Sequence, residues 1–150
     1  MKRVLLICLL VIGSFFASPA VSGAKSAELT KAQAVTVLNK NWVPYTVIGK
    51  KFIQQMSTIK ATTPVKTIIS YFNPFIAASD KFASFLSTTV WPGSLAPSFA
   101  NFAQLVSALS TDLQSYTLDP QNGTPYVLQG VKDIKAATLA KNELSAALQR

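Results

Sequence analysis

The chain has 150 residues, 49% of them hydrophobic and 13% charged, with a formal net charge of +8, one cysteine and no histidine. Without histidine, the Ser-His-Asp and Cys-His forms of nucleophilic catalysis are excluded, and zinc, copper and haem sites lose the residues they most often use. A fold with no disulfide must hold itself together by burial alone, which a chain of this length can do.

The chain opens with a basic pair, Lys2 and Arg3, and an apolar run of 14 residues from Val4 to Ala17. Small residues follow, with Ser22 and Ala24 at the −3 and −1 positions of a cleavage site before Lys25. This is the pattern of a cleavable signal peptide over residues 1–24. The apolar run falls short of the about 20 residues that span a bilayer as a helix. Cys8 follows Ile7 where a lipoprotein motif has a small residue, so lipidation there is not expected. The reading is an exported protein, secreted or extracytoplasmic, in the periplasm or cell envelope if the host is bacterial. The remainder, residues 25–150, is a single domain by length and contains neither cysteine nor histidine.

From Lys25 onward the apolar residues recur at helical spacing. Thr30 to Gln33 has the form of a capping box, and Ala32, Val35, Leu38 and Trp42 then share one face until Pro44 interrupts. Ile48, Phe52, Met56 and Ile59 make a second stripe. "VPYTVI", Val43 to Ile48, is the stretch in which a strand competes. Thr63 and Pro64 read as an N-cap and first helical residue. A third stripe runs through Val65, Ile68, Phe72, Phe75, Phe82 and Phe85, with a kink or break expected at Asn73-Pro74.

"WPGSLAPS" is a loop and helix start. Phe99, Phe102, Val106, Leu109, Leu113 and Tyr116 then step by three and four as a regular seam, which "LDPQNGTP" ends. Thr124-Pro125 repeats the cap-and-proline start, and Val127, Val131, Ile134, Ala137, Ala140, Leu144 and Leu148 form the last stripe. Four to five such helices pack most simply as an all-α, up-and-down bundle.

Three F-x-x-F pairs, Phe72/Phe75, Phe82/Phe85 and Phe99/Phe102, place rings side by side on helix faces. They read first as bundle core and second as the lining for an apolar small molecule or lipid, because bundle interiors commonly hold ligands. Charge is uneven. Lys25, Lys31, Lys40, Lys50, Lys51, Lys60 and Lys66 face only Glu28, whereas Thr67 to Leu118 carries just Asp80, Lys81 and Asp112. Lys40, Lys50, Lys51, Lys60 and Lys66 are therefore candidates for contact with an anionic surface. The helical hairpin around the charge-free stretch Phe82 to Thr111 is a candidate face for a protein partner or a membrane. No arginine-rich patch interleaves with aromatics, so nucleic-acid binding lacks support.

Catalytic signatures are weak. "STIK", Ser57 to Lys60, matches S-x-x-K but lacks the companion elements that make that motif work. Tyr45, Tyr71, Tyr116 and Tyr126 are the only tyrosines available as haem ligands, and each reads better as core or rim. The acidic residues are scattered singly; Asp80 beside Lys81 and Asp133 between Lys132 and Lys135 read as solvated surface. "NGT" at Asn122 is a glycosylation sequon weakened by Pro125. The expected function is a non-enzymatic binding protein with no cofactor, holding an apolar or lipid-like ligand. The alternatives are a protein-interaction module, such as an inhibitor or envelope adaptor, and a membrane-active factor.

Overall fold

The computed structural model describes residues 27–60 and 62–150, which form four helices: α1 (Lys31–Met56), α2 (Val65–Thr88), α3 (Ala96–Leu118) and α4 (Thr124–Gln149). The leader expected over residues 1–24 and the domain start at Lys25 lie outside the described residues. No strand occurs among the described residues, and "VPYTVI" is helical.

α1 begins with the capping box read from the sequence. The Gln33 amide donates to the Thr30 hydroxyl at 3.3 Å, and the Thr30 amide donates to the Gln33 side chain at 2.9 Å. The two stripes on either side of Pro44 belong to this one helix, except Ile59, which lies beyond its end; this corrects the expected interruption and brings the helix count to four. Proline removes one backbone donor and crowds the turn before it. Pro44 is exposed, so water can satisfy the carbonyl left without a partner, while Trp42 and Tyr45 beside it are held by the rings they pack on. The face is also rotated from expectation: Ala34 and Leu38 are buried and Ala32 is exposed.

α2 likewise runs unbroken through Asn73-Pro74, where Pro74 is again exposed. Its N-cap is Pro64 rather than Thr63. The Thr63 hydroxyl instead accepts from the Lys60 amide at 2.8 Å, closing the turn that leads into the helix. In α4, Gly123 holds the cap position and Thr124 is the first helical residue. Val131, expected inside, is 47% exposed, and Gly130 and Asp133 take the buried positions beside it.

Each helix runs antiparallel to the next. Tyr45 and Phe52 of α1 meet Phe82 and Phe72 of α2; Phe72 and Phe82 meet Tyr116 and Phe102 of α3; Gly130 of α4 packs on Leu109 and Leu113. Before α1, the Leu29 amide donates to the Val90 carbonyl at 3.1 Å and the Gly93 amide donates to the Glu28 carboxylate, fastening the chain's entry to the α2–α3 loop.

The interior is a continuous run of rings. Trp91 stacks on Phe99 with centroids 3.7 Å apart, and contacts pass through Phe85, Phe82, Tyr45, Phe75, Phe52 and Phe72 to Tyr116. Tyr45 is the joint: it stacks on Phe82 at 4.7 Å and on Phe75 at 5.7 Å, linking the two hydrophobic clusters of the core. Its hydroxyl lies in a hydrogen bond 3.4 Å from that of the fully buried Ser79.

Two outcomes follow for stability. Phe82→Ala removes a ring that touches Trp42, Tyr45, Phe85 and Phe102. It should cost about 3–5 kcal/mol in urea unfolding, a large share of the ~5–15 kcal/mol that holds such domains together; the half-buried Phe85→Ala should cost clearly less. Burial raises the Tyr45 phenol's pKa, the hydrogen bond with Ser79 offsetting part of the shift. Its neutral form therefore favours the fold in full below pH ~10, and that contribution is lost as pH rises through the folded value. Wild type should lose thermal stability relative to Tyr45→Phe above that pH, read from melting curves taken up the alkaline limb.

Candidate functional site

The structure brings the six candidate phenylalanines into one ring network, in which Phe82 packs on Phe85 and Phe102 while Phe72, Phe75 and Phe99 pack on Tyr45, Phe52, Trp91 and Tyr116. Phe72, Phe99 and Phe102 are wholly buried, Phe75 and Phe82 nearly so, and Phe85 is half-buried. Rings 3.7 to 5.9 Å apart, centroid to centroid, are in contact, so their faces are already occupied. The network meets the surface at few places.

The most aromatic opening lies between α1 and α4. A cation–π contact joins the helices where the Lys141 ammonium sits 5.7 Å from the Trp42 ring centroid. Beside that contact runs an open crevice of about 200 Å³. Trp42, Tyr45, Gly49, Phe52 and Ile53 line it from α1, Phe75 and Leu109 form its floor, and Ile134 and Ala137 line it from α4. Gly49 keeps the floor uncovered, because a side chain there would begin 3.5 Å from the Phe75 ring. Lys50 and Ile53 stand at the rim, both exposed.

A larger groove of about 600 Å³ follows the outer face of α2 and α3. Its walls are small side chains, including Ala83, Ser87, Ala100 and Ser107, with Trp91 at one end and Asp80 at the other. Asp80 is not free: its carboxylate accepts from the Ser110 hydroxyl at 2.5 Å and the Gln114 amide at 3.3 Å. These bonds tie α2 to α3, while Asp80 itself stays exposed, as the sequence reading has it.

Asp133 departs furthest from expectation. It is buried, accepts from the Gln129 side chain at 3.0 Å, and faces Asp112 of α3. Its place four residues before the buried Ala137 was the available signal, masked by the flanking lysines. Burial raises the Asp112 pKa most, followed by the hydrogen bond to Asp133 and the charge of that carboxylate. Among the described residues, no three His, Cys, Asp or Glu side chains come together as a metal site.

Lys40, Lys50, Lys51, Lys60 and Lys66 are all exposed, three of them on α1 and the others in the connection to α2 and its first turn. Among the described residues, no helix is long and apolar enough to cross a membrane. No family model, curated protein or solved structure matches the chain.

Because the folded chain holds the Asp112 proton more tightly than the unfolded chain, ionisation there opposes folding above the folded pKa, and the penalty fades as pH falls toward ~3.9. Asp112→Asn should therefore raise the melting temperature at neutral pH, with a gain that shrinks toward pH ~4. A gain that stays constant across that range would show that repulsion within the pair is not its source.

Proposed function

We propose that the chain is an exported, non-enzymatic binding protein that takes an apolar, lipid-like ligand in the crevice between α1 and α4. The observation that carries this reading is the crevice's lining. Four rings, Trp42, Tyr45, Phe52 and Phe75, converge on one open slot, and a lysine stands at its rim. An alkyl tail laid there would leave water for an aromatic wall, and an anionic head group would meet Lys50. At about 200 Å³ the slot is smaller than the ~300–1,000 Å³ typical of ligand pockets. It therefore suits one end of a single tail rather than a whole lipid. On this reading Phe75 touches the ligand, while Phe72, Phe82, Phe85, Phe99 and Phe102 belong to the packed ring network away from it.

The absence of histidine, and of cysteine after Cys8, supports a non-catalytic role, and the N-terminal basic and apolar pattern supports export. One observation favours a second reading, a protein-interaction module: the α2–α3 groove is three times as voluminous and has Asp80 as its one charged lining residue. A partner with an uncharged helix would fit between its small side chains.

A fatty acid carrying a dansyl group, titrated in vesicle-free buffer, separates the two. Wild type should give saturable fluorescence enhancement. Gly49→Leu and Thr138→Trp, which fill the crevice, should weaken binding tenfold or more, and Ala100→Leu in the groove should leave it unchanged. Absence of saturable binding to wild type, or loss only in Ala100→Leu, would overturn the crevice reading.

A further inference from the structure

The outward face of α1 is unusual in composition and shape. Its 26 residues include Lys31, Lys40, Lys50 and Lys51 and no acidic residue. Helical spacing sets Lys40, Val43, Val47, Lys50 and Lys51 along one outward line, because steps of three and four return to the same face. All five are exposed, Val43 by 59% and Val47 by 61%, and Ile53 beside them by 61%. An apolar patch is thus bracketed by cations at both ends, with Lys40 about 15 Å along the axis from Lys50. Lys60, Lys66 and the exposed Val65 continue the same composition beyond the end of α1.

The acidic residues lie on other parts of the molecule. Glu28 is held by the Gly93 amide, Asp80 by Ser110 and Gln114, and Asp133 by Gln129, while Asp112 faces Asp133 across α3 and α4. Asp119 follows α3 and accepts from Asn122, and Glu143 lies on α4. Neither α1 nor the connection to α2 contains an acid to neutralise the lysines.

We propose that this face of α1 is a docking surface for an anionic lipid bilayer. The charge complementarity is one-sided: lysines meet phosphate head groups while Val43, Val47 and Ile53 sink to the level of the acyl boundary. The same combination drives binding of amphipathic helices that lie in the membrane plane. A soluble polyanion would use the lysines but gain nothing from the valines, and the paired arrangement therefore favours a bilayer. The face shares Lys50 and Ile53 with the crevice rim but does not rest on the crevice reading, which is tested without vesicles.

The test uses the full chain with Cys8→Ser and one introduced cysteine carrying an environment-sensitive NBD label. The label is placed either at Gln54→Cys, on the proposed face, or at Ser107→Cys, on the α2–α3 groove. A local reporter is needed because the apolar run Val4 to Ala17 can itself bring the chain to lipid. With mixed phosphatidylglycerol and phosphatidylcholine vesicles, the Gln54 label should shift to the blue and brighten, while the Ser107 label stays water-like. Pure phosphatidylcholine should leave both unchanged. Replacing Lys50 and Lys51 by glutamine should lower partitioning roughly fivefold per lysine. Val43→Ser with Val47→Ser should lower it roughly fivefold or more at unchanged charge. These side chains are exposed, so circular dichroism should report an intact fold in every variant. The proposal is overturned if the Gln54 label stays water-like on anionic vesicles or both labels shift equally. It is also overturned if the valine pair can be replaced without effect, which would reduce the face to general polyanion attraction.

Discussion

Tyr45 stacked between Phe75 and Phe82 is the contact on which the rest of the bundle depends. On one side of it, Trp42, Phe82, Phe102, Phe85, Trp91 and Phe99 form a group that reaches the α2–α3 loop; on the other, Phe75, Phe52, Phe72 and Tyr116 reach the far end of α3. Without disulfides, stability rests on keeping these groups in one register. A single ring from α1 does so by touching two turns of α2 at once. The hydroxyl of that ring meets buried Ser79, so the joint is directional as well as apolar. Burial holds the phenol neutral, and a charge there would sit among hydrocarbon faces.

Filling the interior with the chain's own rings has a functional consequence. Binding must use the seams between helices and their outward faces, which differ in chemistry. The α2–α3 side carries a groove walled by small side chains and is almost free of charge, its acid consumed by Ser110 and Gln114. The α1 side is basic and partly apolar, and its seam with α4 stays open beside the Lys141–Trp42 contact. Polar and apolar recognition are therefore available on the same helix, and the exposed valines cost little while the rings beneath supply the stability.

Much of this was legible before any coordinates. The seam Phe99, Phe102, Val106, Leu109 and Leu113 is buried as its spacing implies, and the Thr30–Gln33 cap forms as read. The prolines misled. A local rule makes Pro44 and Pro74 breaks, yet both sit on the exposed side of helices anchored by rings a residue or two away, so tertiary packing overrides the lost backbone bond. Thr63 and Thr124 look like caps, but each chain turn places the cap one residue away, at Pro64 and Gly123. The crevice had no sequence signature beyond Phe75, because its lining comes from α1, α2, α3 and α4 together.

By itself the amino-acid order determined the class of secondary structure, the apolar seams, the lack of histidine chemistry and the segregation of lysines from the uncharged middle, since all of these are properties of spacing and composition. The packed state decided which charges are solvated and which faces are covered. Asp133 between two lysines and Asp80 beside a third have similar neighbours in sequence, but one is buried against Asp112 and the other binds across to α3. The physical reason is that periodicity defines a face only to within its own helix. How far that face is rotated toward its neighbours, and where two helices part to leave a seam open, depend on the fit of side chains from several helices at once.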